Sequence, residues 1–285
     1  MKKLWFSFLA LLVSGTAALC QSAQSIPPDT VEFSSGNLRL KAYLWKPDGK
    51  GPFPAVLFNC GRSFTSQQHT RDLTITAAAQ ILGPIFAKHG YVVLFPFRRG
   101  EGLSADQGTF IGDLLDREAA AHGEEARIHL QYVLTTTDHL QDATAALSFL
   151  KNLPLVDPRR IAVVGHSFGG QLTLLMAGGD SSIRAAVAFG PAANSWRRSA
   201  EFRDSLLAAV RRTAVPIMII HPANDYDTTP GKTLAAELDR LHKPNVLKLY
   251  PAIGQTPSDG HNFLFYNIPL WESDVLEFLD SHVKS

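Results

Sequence analysis

Two patterns of hydrophobic and polar positions divide the chain. Residues 31–47 (VEFSSGNLRLKAYLWKP) alternate apolar and polar positions around a Ser-Gly-Asn turn, which is typical of an antiparallel strand pair. From Pro54 onward, short and almost wholly apolar runs alternate with segments of helical periodicity. Such runs are expected for parallel strands that are covered on both faces. The sequence therefore predicts an α/β fold, with a mostly parallel central sheet, an antiparallel N-terminal strand pair and helices on both faces.

The alternation also gives the order of the elements. Six apolar runs are predicted as parallel strands: PAVLFNCG, YVVLFPF, IAVVGHS, AAVAFGP, PIMIIHPAND and NVLKLYPA. Glycines and prolines at the ends of the periodic segments predict helices over residues 71–89, 138–153, 168–177, 232–242 and 269–283. Strands that alternate with helices in this way build right-handed βαβ units.

Residues 101–137 interrupt this alternation. The segment is charged, rich in alanine and helix-prone between Gly112 and Thr137, and it is too long for a simple loop in a compact domain. Two interpretations stay open: a helical excursion that partly caps the C-terminal edge of the sheet, or a lengthened crossover helix.

The first 25 residues have the layout of a secretory signal peptide. Lys2 and Lys3 precede an apolar run from Leu4 to Val13, and small residues follow. The run is shorter than the roughly 20 residues that span a bilayer. We therefore expect cleavage, a secreted or periplasmic location, no stable membrane span, and one mature domain over residues 26–285. A lipid anchor through Cys20 is a minor alternative.

Composition excludes several classes of function. The 27 basic and 26 acidic residues give a formal net charge of +1, and the basic ones are scattered, so we expect no nucleic-acid partner. The sequence has no phosphate-binding Gly-Lys-Ser/Thr motif and no clustered metal ligands, so we expect no cofactor and no metal. After signal cleavage only Cys60 remains of the two cysteines, which leaves no intramolecular disulfide.

The stretch AVVGHSFGG, residues 162–170, carries the main candidate for chemistry. Gly165 and Gly169 flank Ser167 in a G-x-S-x-G pattern, which needs small residues because the turn from strand to helix is very sharp. The apolar strand before it and the helical pattern after it are the context that this motif requires. Ser167 is therefore the predicted nucleophile, whereas His166 is expected to point away and to pack or bond backbone.

A serine nucleophile needs a base, and the base needs an acid that orients it. His261, in PSDGHNF after the last apolar strand, is the predicted base, and His221 is interpreted as structural or pocket-lining. Asp225 follows the strand PIMIIHP and is the predicted acid, with Asp227 as its competitor. The resulting order along the chain is serine, aspartate, histidine.

An oxyanion hole is predicted from backbone N–H groups. The first donor is Phe168, at the start of the helix after the nucleophile. The second is expected in Cys60, Gly61 or Arg62, in the loop after the first parallel strand. The Arg62 side chain either faces an acidic substrate or is solvated, and Cys60 is expected to be a buried small residue.

A glycine-rich loop, FRRGEG, follows the next strand. Arg98, Arg99 and Gly100 either line the pocket or form a structural turn in which an arginine pairs with a carboxylate. Both interpretations stay open.

The motifs FNCGRS, FRRGEG, DPRRIAVVGHSFGG, HPANDYDTTP and DGHNF together resemble the α/β-hydrolase superfamily. The resemblance runs from about Val31 to the C-terminus and is greatest to the dienelactone-hydrolase-like group and to domains related to prolyl oligopeptidases and acetyl esterases. It implies an α/β-hydrolase fold. Dienelactone hydrolases proper carry a cysteine where this chain has Ser167. Oligopeptidases usually carry a large N-terminal propeller. No segment of this sequence is long enough to form one, so a peptidase is the weaker expectation.

Together these observations favour a serine hydrolase that cleaves carboxylic esters of small molecules through an acyl-enzyme. A small serine peptidase is the second hypothesis. The third is a non-catalytic binding protein on a hydrolase fold. The sequence does not identify substrate-binding residues.

Overall fold

The computed structural model describes residues 26–62 and 74–285. The predicted signal peptide, residues 1–25, lies outside the described residues. Within the two described segments, no helix combines the length and the apolar character needed to cross a bilayer.

One eight-stranded sheet forms the centre of the molecule. Its strands are β1 (Asp29–Ser35), β2 (Leu38–Trp45), β3 (Phe53–Asn59), β4 (Val92–Pro96), β5 (Val156–His166), β6 (Ala185–Phe189), β7 (Ile217–Pro222) and β8 (Asn245–Tyr250). Their spatial order is β1-β2-β4-β3-β5-β6-β7-β8. Strand β2 pairs antiparallel with β1 and with β4, and strands β3 to β8 are parallel. The predicted mostly parallel sheet with an antiparallel N-terminal pair is confirmed.

The continuous apolar runs have a direct cause in the burial of the strands. Every residue of β4, β6 and β7 is buried, because helices cover both faces of the sheet and leave no solvated side. In β5, positions Ile161 to Val164 are fully buried. Burial on both faces removes the alternation that a half-exposed strand shows.

Two layers of helices cover the sheet. The helices are α1 (Ile75–Lys88), α2 (Ile111–His122), α3 (Glu124–Leu134), α4 (Leu140–Lys151), α5 (Phe168–Gly179), α6 (Ala200–Arg212), α7 (Thr229–Arg240), α8 (Pro257–His261), α9 (Phe263–Tyr266) and α10 (Ile268–Leu279). Helices α1, α9 and α10 pack on one face with Phe86 and Trp271 in the core. Helices α2, α4, α5, α6 and α7 pack on the other face, where each contributes a leucine to the core: Leu115, Leu147, Leu172, Leu206 and Leu234.

Helix α6 was not among the predicted helices. Its start is set by Ser199, whose side chain accepts a hydrogen bond from the N–H of Phe202. Phe202, Leu206 and Val210 are buried at four-residue spacing, the pattern of a helix with one face on the core. Both signals, the capping serine and the four-residue spacing of apolar positions, are present in the sequence.

Residues 101–137 fold into helices that lead into α4. A short 3-10 turn, Gly102–Ser104, precedes α2 and α3, and a π-helical segment, Thr135–His139, joins α3 to α4. Helix α2 buries Ile111 and Leu115, whereas α3 has no fully buried residue. His129 of α3 lies 2.9 Å from the Glu201 carboxylate of α6, so α3 reaches the start of α6 from outside the core.

The buried His139 makes the stability of this fold depend on pH. Its ring packs edge-on against Phe168 with centroids 5.4 Å apart, and burial, reinforced by repulsion from Arg98, lowers the pKa of His139 to about 3. An unfolded histidine titrates near pH 6.5. As the pH falls below that value the unfolded chain binds the additional proton first, so the free energy of unfolding decreases.

Below pH 6 the unfolded chain holds one more proton at His139 than the folded chain does, and His139→Phe abolishes this difference. We therefore expect the free energy of unfolding of the variant to depend less steeply on pH, by about 1.4 kcal/mol per pH unit. Urea unfolding at several pH values between 4.5 and 7 measures it. His122→Gln, which replaces an exposed histidine on α2, is the control for the loss of a histidine as such. An unchanged slope in His139→Phe would contradict the assignment.

Candidate active site

The turn at Ser167 joins β5 to α5 with a backbone conformation that few residues adopt. Ser167 has φ +54°, in the left-handed region. A Cβ at Gly165 would lie 2.3 Å from the Gly169 carbonyl oxygen, and one at Gly169 would lie 2.0 Å from the Asn59 carbonyl oxygen. Both flanking positions therefore require glycine, which is the reason for the G-x-S-x-G spacing.

Three of the sequence-predicted side chains meet in a chain of hydrogen bonds. Ser167 Oγ lies 2.8 Å from His261 Nε2, and His261 Nδ1 lies 2.7 Å from Asp225 Oδ1. They come together because β5, β7 and β8 are parallel, so the segments after them start at the same edge of the sheet. A hydroxyl, an imidazole and a carboxylate in this order can transfer a proton away from the serine oxygen.

His261 lies on a short helix that was not among the predicted helices. It is the last residue of α8, which starts after Thr256. The Thr256 side chain accepts from the Asp259 N–H, and the Asp259 carboxylate accepts from the Thr256 N–H. This capping box fixes a five-residue helix that has little periodicity of its own, and the helix holds the imidazole in place.

Asp225 has a second histidine partner. His221 Nδ1 donates to Asp225 Oδ2 over 2.7 Å, and both side chains are fully buried. Burial on its own raises the pKa of the Asp225 carboxyl, but the hydrogen bonds from His221 and His261 outweigh it and hold that pKa below its usual range. The carboxylate is thus ionised and held at both oxygens, and His221 has a contact that the interpretation as structural or pocket-lining did not specify.

The two other candidates from the sequence lie elsewhere. Asp227 Oδ2 accepts from Arg197 Nε over 2.9 Å, and Asp227 Oδ1 accepts from the Thr229 N–H. His166 Nε2 donates to the backbone oxygen of His261 over 2.9 Å, and burial lowers the pKa of His166 to about 3. His166 is therefore a neutral ring that supports the segment of His261. In residues 26–62 and 74–285, no group of His, Cys, Asp and Glu converges as metal ligands would.

The predicted oxyanion donors lie next to Ser167. Phe168 is the first residue of α5, so its N–H has no partner within the helix. Gly61 packs against Ser167, since a Cβ on the glycine would lie 3.4 Å from the serine Cβ. Cys60 is buried, and burial raises the pKa of its thiol to about 12, so it stays a protonated, unreactive packing residue.

A polar cavity of about 270 Å³ opens beside Ser167. Arg62, Arg127 and Arg198 contribute to its wall. Burial, with repulsion from Arg127 and Arg198, lowers the pKa of the Arg62 guanidinium, which still carries its charge at neutral pH. Glu124 pairs with both Arg127 and Arg198, and the exposed Asp116 carboxylate lies 3.9 Å from Arg127, whereas Arg62 has no ion pair among the described residues. The cavity therefore holds an excess of positive charge.

Several of these wall residues were not predicted. Arg127 and Gln131 come from α3, and Asn194, Ser195 and Arg198 come from the segment before α6. Arg98 and Arg99 are not part of the wall. Arg98 pairs with Glu101 and Arg99 with Asp142, which supports the interpretation of FRRGEG as a structural turn.

Comparison with known proteins identifies the family. Residues 74–263, more than half of the chain, match the dienelactone hydrolase family. The chain belongs to the dienelactone hydrolase family. This membership supports hydrolase activity on esters.

Individual relatives agree at low identity. A putative carboxymethylenebutenolidase from Synechocystis is 26% identical over 148 residues, which are 51% of each chain. Dienelactone hydrolase from Anabaena variabilis superposes with a TM-score of 0.60 at 16% identity, covering 90% of this chain and 99% of that one. Acylaminoacyl peptidase from Pyrococcus horikoshii superposes with a TM-score of 0.63 at 16% identity, covering 91% of this chain and 42% of that one. These structures establish the α/β-hydrolase fold. The chain spans about half the length of several curated relatives that it matches.

Proposed function

We propose that this protein hydrolyses carboxylic esters through an acyl-enzyme on Ser167. The observation that supports this most directly is the 2.8 Å contact of Ser167 Oγ with His261 Nε2, while Nδ1 of the same ring is held by Asp225. Because a carboxylate only accepts hydrogen bonds, Nδ1 carries a proton and Nε2 is free to take the serine proton.

Each half of the reaction uses the same base. As Ser167 Oγ attacks the ester carbonyl carbon, its proton moves to His261 Nε2 and the carbonyl oxygen becomes an oxyanion. When the oxyanion collapses, the alkoxide leaves and takes the proton from His261. Water then gives a proton to His261 and attacks the acyl carbonyl carbon. As this second tetrahedral intermediate collapses, the bond to Ser167 Oγ breaks, the serine oxygen takes the proton back from His261 and the acid leaves.

Two backbone N–H groups suit the oxyanion. Phe168 N–H stands at the positive end of α5. We assign the second donor to the N–H of Arg62, for which the described residues offer no acceptor. Donors that are already in place stabilise the tetrahedral intermediate without reorganisation.

The charge of the cavity favours a small ester with a carboxylate of its own. Three guanidiniums face a space of about 270 Å³, and a guanidinium binds a carboxylate with two charge-assisted hydrogen bonds. The free amine of a peptide substrate would be repelled by the same groups. The peptidase hypothesis is therefore the less favoured of the two enzymatic ones.

Replacement of the nucleophile tests the proposed function. We expect Ser167→Ala to lose labelling by a fluorophosphonate probe and to lower kcat for p-nitrophenyl acetate by at least about 10³-fold. Ser205→Ala, on α6, is the matched control and should label like the wild type. Labelling that persists in Ser167→Ala would contradict the assignment. A wild-type protein with neither labelling nor turnover would favour the binding protein.

The two aspartates after β7 give a second test. Asp225→Asn places an amide beside His261 that stabilises the wrong tautomer and cannot balance the imidazolium, so we expect kcat to fall by about 10³- to 10⁴-fold. Asp227→Asn should stay within about three-fold of the wild type, because its carboxylate contacts Arg197 instead. Steady-state kinetics on one ester distinguishes the two, and equal losses would refute the choice of Asp225.

A matched pair of esters tests the substrate class. We expect kcat/KM for mono-4-nitrophenyl glutarate to exceed that for its neutral methyl ester by at least about ten-fold, after subtraction of the uncatalysed rate. Arg62→Gln should reduce this preference, and added salt should weaken it. Arg117→Gln, an exposed arginine outside the cavity, is the control. Equal rates on both esters, or faster cleavage of aminoacyl p-nitroanilides, would count against an anionic ester.

A further inference from the structure

A fully buried arginine stands behind the loop of residues 60–62. Arg98 is 1% exposed. Its Nη1 donates to the backbone oxygen of Cys60 over 2.8 Å, and its Nη2 donates to that of Gly61 over 3.2 Å. Nη2 also lies 2.6 Å from Glu101 Oε2, which balances the charge. One planar side chain thus holds two successive peptide groups.

The orientation of those peptides decides where their N–H groups point. In a planar trans peptide the C=O and the N–H point in opposite directions. The oxygens of Cys60 and Gly61 face Arg98, so the N–H groups of Gly61 and Arg62 face away from it. Gly61 itself lies against Ser167. The two hydrogen bonds from Arg98 to these oxygens therefore orient the Arg62 N–H toward the side away from Arg98.

The same guanidinium contacts the residue that carries the other donor. Its central carbon lies 4.9 Å from the centre of the Phe168 ring, within the range of a cation–π interaction. Phe168 is 4% exposed, so its ring is fixed between Arg98 and His139, which packs on it edge-on. Arg98 therefore contacts the backbone oxygens of Cys60 and Gly61 on one side and the ring of Phe168 on the other.

We propose that Arg98 is a positioning residue that sets the geometry of the oxyanion hole, acting through residues 60–62 and Phe168 without touching the substrate. This inference rests on the proposed ester hydrolysis by Ser167. Glu101 keeps the buried cation in place, and the planar fork of arginine, which lysine lacks, holds both carbonyl oxygens at once.

The test compares two neighbouring arginines. Arg98→Gln removes the hydrogen bonds to the oxygens of Cys60 and Gly61. We expect kcat to fall about 10²-fold, with KM changed less than about three-fold. The active sites are counted by fluorophosphonate titration, so that kcat refers to folded enzyme. Arg98→Lys keeps a cation opposite Glu101, and we expect a loss of about ten-fold. Arg99→Lys is the matched control, because Arg99 pairs with Asp142 and does not contact the loop; its kcat should stay within about two-fold even if its melting temperature falls.

A transition-state analogue separates positioning from stability. A trifluoromethyl ketone forms a tetrahedral adduct with an oxyanion, so its Ki should rise in both Arg98 variants by the factor by which kcat/KM falls. Arg98→Lys decides the matter if Arg98→Gln does not fold. Values of kcat within about two-fold of the wild type in the folded variants, or a Ki that does not follow kcat/KM, would overturn the role of Arg98 and leave ester hydrolysis intact. An inactive, unlabelled wild type would overturn the proposed function itself.

Discussion

The left-handed backbone at Ser167 is the constraint on which the site depends. A serine at φ +54° is costly, and it persists because close contacts and a backbone hydrogen bond hold the turn between β5 and α5. Gly165 and Gly169 allow the turn to pass within contact distance of Asn59 and Thr173, and the Ser167 N–H bonds the Phe189 oxygen of the neighbouring strand. The sheet and the helix thus hold the hydroxyl at the crest, where His261 reaches it.

The acid of the proposed triad is fixed as firmly as the nucleophile. Asp225 Oδ1 accepts from His261 and from the Tyr226 N–H, and Oδ2 accepts from His221. With donors on both oxygens the carboxylate has no freedom to rotate, and the buried, ionised group stays paired. His221 therefore contributes to the site through Asp225 without contacting the serine, just as Arg98 acts through the backbone of Cys60 and Gly61.

The sequence was informative for functional residues that lie directly after a predicted strand. Ser167, Asp225 and His261 were found because each lies after an apolar run, and parallel strands bring such positions to one edge. The family match and the α/β-hydrolase fold agree with the ordered motifs. Arg127 and Arg198 were not found, because their approach to Ser167 depends on how α3 crosses the start of α6. No spacing along the chain encodes that tertiary contact. The short helix α8 was missed for a different reason, since five residues with a proline and a glycine show no helical period.

Net charge conceals how unevenly charge is distributed near the serine. The chain as a whole carries +1, yet the cavity wall has three arginines, two of which share Glu124 while Arg127 also lies near Asp116. Behind the loop, by contrast, Arg98 is balanced by a buried carboxylate. A buried cation with its own counter-ion can organise peptides without attracting a ligand, whereas a cation without one gains most from an anion that arrives with the substrate. Arginine thus has two separate roles near residues 60–62: Arg98 holds the loop from behind, and Arg62, Arg127 and Arg198 line the cavity in front of it.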